Sequence, residues 1–539
     1  MEPPTKEHDE RQLRPPPKNL FRIITIALIL FAPVALELSL RLFGPWPGPA
    51  NPGLKQNPSG MPLFEVKHDG ANSIYTPSRY FLPWGQHYSF LMPKPEKVYR
   101  IFSLGGSATI GGAFGYPGAF SRWLGIMLNA SDQGRDYEVI NCGQSGFPVS
   151  EVKYLEKQTL KASPDLLVIY AGNNEFFYHR DQRFKFRMPS IAYRAKHFLE
   201  KLRIVRLLES ALESDANSAP LFKLEPLAMR EHAAASFQKA VTNNWDWENR
   251  GFVLSQFRSN LEAMVRMARK RGVKVILCTV AVNMRDYAPN GSRHGPGFAA
   301  SRRTEWNGLV QAGKDAYARG DFHVAADYFL RAEKMDPAAA EADFFLGHSL
   351  LRQGRIQEAY QYFQAAVDHD PVRNRAGSDI NAIIREVGDS MNVPVADVVE
   401  EFREKCRDGV PGDDLFLDNV HPTLEGHRII ARAVLDTMIE QGWVAPLAGS
   451  ERRREQAVAE YEKAMPDEYL FNSYYTAASI NALLGRFARA RLWLEKARSY
   501  SPDDEQALKM QYCLDQILYT SPKDLSFPWS EIELIESYK

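Results

Sequence analysis

Cysteine is scarce: the 539 residues contain only Cys142, Cys278, Cys406 and Cys513, with no Cys-x-x-Cys pair and no zinc-ligand spacing. That scatter leaves metal chemistry without support, and no metal or cofactor is expected. Cys142 and Cys278 follow strand-like runs and read as buried thiols, a disulfide being the open alternative. Charge of one sign is also missing, since Lys plus Arg is 66 and Asp plus Glu is 66. Without a net basic field, nucleic acid is not an expected partner. The apolar and charged fractions, 45% and 24%, are ordinary for a globular protein, and the length suffices for two or more domains with substantial cores.

Near the N-terminus, residues 23–36 form an uncharged apolar run, which Leu38, Leu40, Leu42 and Phe43 extend past Glu37 and Arg41. The uncharged part is short enough to be the hydrophobic region of a cleaved signal peptide. No small-x-small cleavage site follows it, however, and residues 20–43 can span a bilayer with Glu37 near an interface. An uncleaved transmembrane signal anchor over 23–43 is the favoured expectation. Lys6, Arg11, Arg14, Lys18 and Arg22 precede it, whereas Arg41 is followed by no Lys or Arg until Lys55. The positive-inside bias then keeps residues 1–22 cytoplasmic and places the rest in a periplasmic or other extracytoplasmic space. Pro45-Trp46-Pro47-Gly48-Pro49 reads as an extended linker, and residues 44–96 as a linker and lead-in segment.

The chemistry begins at Leu104-Gly105-Gly106-Ser107-Ala108-Thr109, a serine in a glycine-flanked turn after an apolar, strand-like run. A serine hydroxyl is a weak nucleophile at neutral pH and needs a base to take its proton and a third group to orient that base. About three hundred residues later, Asp418-Asn419-Val420-His421-Pro422 sets a carboxylate and an imidazole on one loop. Ser107, His421 and Asp418 can fill the three roles. A tetrahedral intermediate also needs donors for its oxyanion, each contributing roughly 2.7–4 kcal/mol. Asn141-Cys142-Gly143-Gln144-Ser145-Gly146 offers the unobstructed Gly143 N–H, and Gly172-Asn173-Asn174-Glu175 offers the Asn174 amide. Each motif alone has an ordinary reading as a turn, a strand-end loop or a helix N-cap with a surface histidine. Their conjunction at strand C-terminal ends and on a late loop is what points to a site. His179, His323, His348 and His427 lack such a carboxylate setting and read as surface or packing residues.

These four segments, in this order, resemble the SGNH (GDSL-like) serine hydrolases over roughly residues 97–300 and 373–443. The resemblance implies an α/β three-layer sandwich with a mostly parallel sheet. It also implies catalysis by Ser107, Asp418 and His421, and an oxyanion hole from Ser107, Gly143 and Asn174. Two departures concern subfamily and substrate: Gly106 stands where the better-known pattern has Asp, and Glu175 where many members have Asp. Strands are expected near residues 99–103, 137–140, 166–170, 273–278 and 393–398, with helices near 252–271, 380–391 and 426–439. The hydrolase is thereby split into 97–303 and 373–443. A helical insertion over 178–250 is either a hairpin on the domain edge or a lid or acyl-chain groove.

An independent pattern occupies the interruption. Gly313, Gly320, Ala325, Phe329, Ala332 and Pro337 recur 34 residues later as Gly347, Gly354, Ala359, Phe363, Ala366 and Pro371. The same template fits Ala478, Gly485, Ala490, Leu494, Ala497 and Pro502, with a partial copy at Ala457, Tyr461 and Ala464. This period resembles tetratricopeptide repeats, an α-helical domain assigned to 304–372 with a second group over 451–520. The expectation is that both groups stack into one composite helical domain. Its surface either serves packing alone or receives a protein partner or part of a polymeric substrate. Three functions are compatible with these residues. The preferred one is an esterase acting on an acyl ester, acetyl or longer, of a glycan or lipid. An O-acyltransferase using the same acyl-enzyme and a repeat-based scaffold with an inactive hydrolase domain are the alternatives.

Overall fold

The computed structural model describes residues 62–69, 72–78, 88–132, 134–176 and 249–520. The expected cytoplasmic segment 1–22, the anchor at 23–43, the start of the linker and nearly all of the 178–250 insertion lie outside the described residues, as does His179. Among the described residues, no helix is long and apolar enough to cross a membrane.

The architecture is an α/β sandwich with an α-helical repeat region. Its main sheet has five parallel strands: β4 (Val98–Gly105), β5 (Asp136–Asn141), β6 (Leu166–Tyr170), β7 (Lys274–Cys278) and β8 (Val395–Ala396), in the order β5-β4-β6-β7-β8. All five residues of β6 are buried, as are the last seven of β4. A parallel strand covered by helices on both faces has no solvent side to make polar, hence these continuous apolar runs. The helices α1 (Phe120–Ser131) and α10 (Leu424–Glu440) pack on each other as one layer. The helices α2 (Val149–Thr159), α3 (Arg250–Arg269) and α8 (Ser378–Met391) form the other.

Register brings three loops to one edge. Ser103 pairs with Asn141 and Gly105 with Tyr170, so β4, β5 and β6 end together at their C-terminal side. β8 is shorter than the expected 393–398. Pro394 has no N–H to donate, although its carbonyl accepts from Leu277. Asp397 then accepts from the Glu400 N–H and caps α9 (Val398–Lys405), turning the chain out of the sheet. The lead-in segment carries strands of its own. β1 (Phe64–Asp69), β2 (Asn72–Pro77) and β3 (Phe90–Met92) form a separate antiparallel sheet. Phe64 and Phe90 meet edge to face, and both rings pack against Phe102 of β4, which gives this sheet an apolar seat.

Four helices fill the interruption: α4 (Arg303–Ala318), α5 (Phe322–Met335), α6 (Ala340–Arg352) and α7 (Ile356–Asp368). The repeating glycines mark close crossings. A Cβ on Gly313 would lie 2.7 Å from the Phe329 ring, and one on Gly347 would lie 3.1 Å from Phe363. After α10 come α11 (Ser450–Lys463), α12 (Asp467–Leu483), α13 (Phe487–Arg498) and α14 (Glu505–Thr520).

The two helical groups do not form the single stack expected of them. Their extensive helix contacts run within each group, or from α11 to α1 of the hydrolase. Both groups instead close on the loop after β7. From residue 280 to 291 this loop is almost wholly buried without regular structure. Side chains satisfy its backbone: Arg375 donates to the Asn283 and Tyr287 carbonyls, Arg486 to Ala288, Arg489 to Asp286, and Asp370 accepts from the Asn290 N–H. The same loop covers α6. Ser292 accepts from the Glu341 N–H, while His294 and Gly295 both bond Asp336. Nine consecutive residues of α6, 342–350, are buried.

Candidate active site

Ser107 opens a short helical turn, Ser107–Ile110, directly after β4. Two glycines make the turn possible. A Cβ on Gly105 would lie 2.0 Å from the Tyr170 carbonyl oxygen, and one on Gly106 would lie 2.6 Å from the Asn174 amide nitrogen. A larger residue at 106 would require the Asn174 side chain to shift. The Thr109 hydroxyl donates to Tyr170 O at 2.8 Å, and Asn141 Nδ2 donates to Thr109 O at 2.7 Å. The turn is thus tied to both neighbouring strands. The N–H groups of Ser107 and Ala108, first in the turn, have no intrahelical acceptor.

The structure brings Ser107, His421 and Asp418 into one hydrogen-bonded chain. His421 Nε2 lies 2.8 Å from Ser107 Oγ, and His421 Nδ1 lies 2.6 Å from Asp418 Oδ2. Asp418 Oδ1 accepts from the backbone N–H groups of Val420 and His421 at 2.9 and 2.8 Å. The Asp418 side chain is 3% exposed and that of His421 16%. An ionised carboxylate only accepts, so Nδ1 carries the proton and Nε2 presents its lone pair to the serine O–H. Burial opposes ionisation of both groups, but each stabilises the charge of the other. The Asp418 carboxyl is held below its usual range by His421 and the two N–H donors, and Asp418 raises His421 above the ordinary histidine value.

The loop carrying this pair is closed on itself. Leu417 N–H donates to His421 O at 2.8 Å, and the Thr423 hydroxyl caps α10 at Gly426 N–H. Asn283, fully buried, donates through Nδ2 to the Asp418 carbonyl at 3.1 Å and to Asp413 at 2.8 Å. Opposite, Gly112 (φ +55) lies against the His421 ring, where a Cβ would come within 3.0–3.2 Å.

The expected oxyanion donors are placed differently from one another. Asn174 Nδ2 uses one hydrogen on Phe147 O at 3.1 Å and sits over Gly106, beside Ser107. Gly143 is buried behind the nucleophile turn, where a Cβ would lie 2.5 Å from the Ile110 nitrogen, and its N–H is donated to Asn141 Oδ1 at 2.9 Å. It is therefore committed inside the protein in this structure, unlike the N–H of Ser107. Glu175 is buried and accepts from the Val149 N–H at the start of α2, and burial pushes its carboxyl up to about 8.

Of the other histidines singled out in the sequence, His348 and His427 are buried packing residues and His323 is exposed. Burial lowers His427 to about 3 and His348 to about 4, so both are neutral. Cys142, Cys278, Cys406 and Cys513 are all free thiols, and the first three are buried. Sequence reasoning missed Asn141 as the clasp of the nucleophile turn and Asn283 as the clasp of the Asp418 peptide. Asn141 opens the Asn141–Gly146 motif. Asn283 has no sequence signal, because its partners are contributed by a loop more than a hundred residues away.

Among solved structures, the chain is similar to a GDSL-like lipase from Bacteroides thetaiotaomicron, at 13% identity and a TM-score of 0.27, over 64% of this chain and 89% of that one. It is also similar to an acetylxylan esterase from Geobacillus stearothermophilus, at 16% identity and a TM-score of 0.29, over 63% of this chain and 94% of that one. No curated protein matches the sequence. A family model for the tetratricopeptide repeat matches residues 310–374, which contain α5, α6 and α7.

Proposed function

We propose that this protein is a serine esterase, and the observation that carries the reading is the continuous Ser107–His421–Asp418 hydrogen-bond chain. Ser107 Oγ attacks the ester carbonyl while its proton passes to His421 Nε2. The Ser107 N–H and the Asn174 amide receive the oxyanion, joined by Gly143 only when its N–H leaves Asn141. The alkoxy C–O bond then breaks, and His421 hands the proton to the departing alcohol. Water attacks the acyl-enzyme and gives His421 a proton, which His421 returns to Ser107 Oγ as the acyl–Oγ bond breaks and the acid leaves. An alcohol in place of water makes the same site an O-acyltransferase.

The substrate class is an acyl ester of a glycan or lipid. In this reading the apolar segment 23–43 anchors the chain, with the basic residues before it on the cytoplasmic side and the catalytic region extracytoplasmic. A protein partner on the repeats is the less favoured part, because the loop after β7 already covers α6.

Fluorophosphonate labelling and a short-chain ester assay test the chemistry, with Ser107→Ala as the control. Labelling and hydrolysis that both vanish in the variant support the esterase. A folded wild-type chain that neither labels nor hydrolyses overturns it in favour of a repeat-based scaffold. Transfer to an added sugar alcohol, with slow hydrolysis alone, would identify the acyltransferase.

A further inference from the structure

The C-terminal helices α11–α13 make polar contacts that helix packing alone does not require. Trp493 Nε1 donates to Leu417 O at 2.6 Å, and Asn481 Nδ2 donates to the same carbonyl at 3.1 Å. Leu417 immediately precedes Asp418, and its own N–H closes the turn on His421 O. Asn481 is fully buried and also donates to Ala477 O at 2.9 Å. Two carbonyl acceptors fix its amide orientation, since the flipped group would set oxygen against oxygen.

The same helices hold the other side of the site. Tyr469 Oη donates to Phe114 O at 2.8 Å, and Tyr461 Oη to Pro117 O at 3.1 Å. Phe114 and Pro117 belong to the loop that follows the nucleophile turn and that lies against His421 through Gly112. Tyr474 connects the two sides: its ring stacks on Trp493 at 5.9 Å and 15°, and meets Phe114 edge-on at 5.5 Å and 88°.

We propose that α11–α13 act as a brace across the active site, with Trp493 and Asn481 as positioning residues that set His421 against Ser107 through the Leu417 carbonyl. This inference rests on the esterase reading. Because both donors serve one acceptor, each partly covers the loss of the other. Removing both frees the turn that carries Asp418 and His421 while leaving Ser107 and its strand untouched.

The test compares full-length wild type, Trp493→Phe, Asn481→Ala and the double variant with a chromogenic ester across pH. Each single variant is expected within about threefold of wild type. The double variant is expected to lose about twentyfold or more in kcat with KM changed less than twofold. Its acidic limb should move to lower pH, because His421 loses part of the Asp418 interaction that raises it. A folded double variant with kcat and acidic limb within twofold of wild type overturns the brace. If the double variant does not fold, Trp493→Phe/Asn481→Leu, which removes both donors to the Leu417 carbonyl while filling the Asn481 space, replaces it: at least a fivefold kcat loss at constant KM supports the brace, and an unchanged rate overturns it. A wild-type chain without labelling at Ser107 sinks the esterase reading separately. The brace is then read from the His421 titration by NMR, which should shift down in the variant and overturns the brace if unmoved.

Discussion

Asp418 and His421 divide one favourable interaction between two ionisations, and this fixes the sign of the pH response. His421 acts as a base only when neutral, and Asp418 raises its pKa, so kcat/KM should climb as pH rises through a midpoint above the ordinary histidine value. In Asp418→Asn the raising partner is gone and burial, which lowers, remains. The acidic limb should therefore move to lower pH while kcat falls by about 10⁴-fold, as expected when the imidazole is held in the wrong tautomer. A pH-rate profile of both proteins checks this, and an unchanged rate would remove Asp418 from the triad. A second titration concerns stability. Glu156 is buried with neither carboxylate oxygen hydrogen-bonded, and burial raises it to about 9. A carboxyl raised in the folded state binds its proton more tightly there than when unfolded. Its contribution is complete below the unfolded value near 4.5 and is lost as pH rises toward 9. Glu156→Gln should flatten the fall of Tm between pH 5 and 9, and parallel Tm curves would refute the assignment. At this scale the sequence was most readable where chemistry demands rare combinations. Ser107, Asp418 and His421 announce themselves by turn and spacing, whereas Asn283 becomes visible only when its partners fold around it.

At the scale of elements, glycine placement separates propensity from packing. Gly308 and Gly313 both lie in α4, but a Cβ on Gly308 meets nothing within 4 Å while one on Gly313 meets the Phe329 ring. Gly308→Ala should stabilise by about 0.8–1 kcal/mol through helix propensity. Gly313→Ala should destabilise by about 1–3 kcal/mol through overpacking. Urea unfolding of the two variants decides it, and equal shifts would mean that the repeat crossing tolerates a methyl group. The 34-residue period and the strands β4 to β7 were legible because long apolar runs and recurring small residues are local signals. β8 was read too long because Pro394 and the Asp397 cap were not weighed. The β1–β3 sheet was missed although the sequence sets Gly70-Ala71 between two runs rich in β-formers.

Across the whole molecule, the loop after β7 is where the parts meet. Arg285, buried, bonds Asp286, Asp408 and Asp414, while Arg489 from α13 reaches Asp413 and the Asp286 carbonyl. Hydrolase, repeat helices and C-terminal helices are thereby expected to unfold together. Arg285→Met should cost roughly 2–3 kcal/mol, less than a wholly buried pair because its carboxylate partners keep some water. Hydrogen exchange should accelerate equally in α6 and α13, and a loss of protection confined to one of them would contradict the coupling. No local pattern foretold this junction, since the expected single helical stack left out the loop that separates the two groups. The covering of α6 by residues 285–298 carries a consequence for anyone seeking partners. A segment tethered at both ends competes at an effective concentration on the order of millimolar, so a free peptide of ordinary affinity meets an already saturated surface. Repeat helices expressed alone would shed that tethered competitor and capture ligands the intact chain ignores.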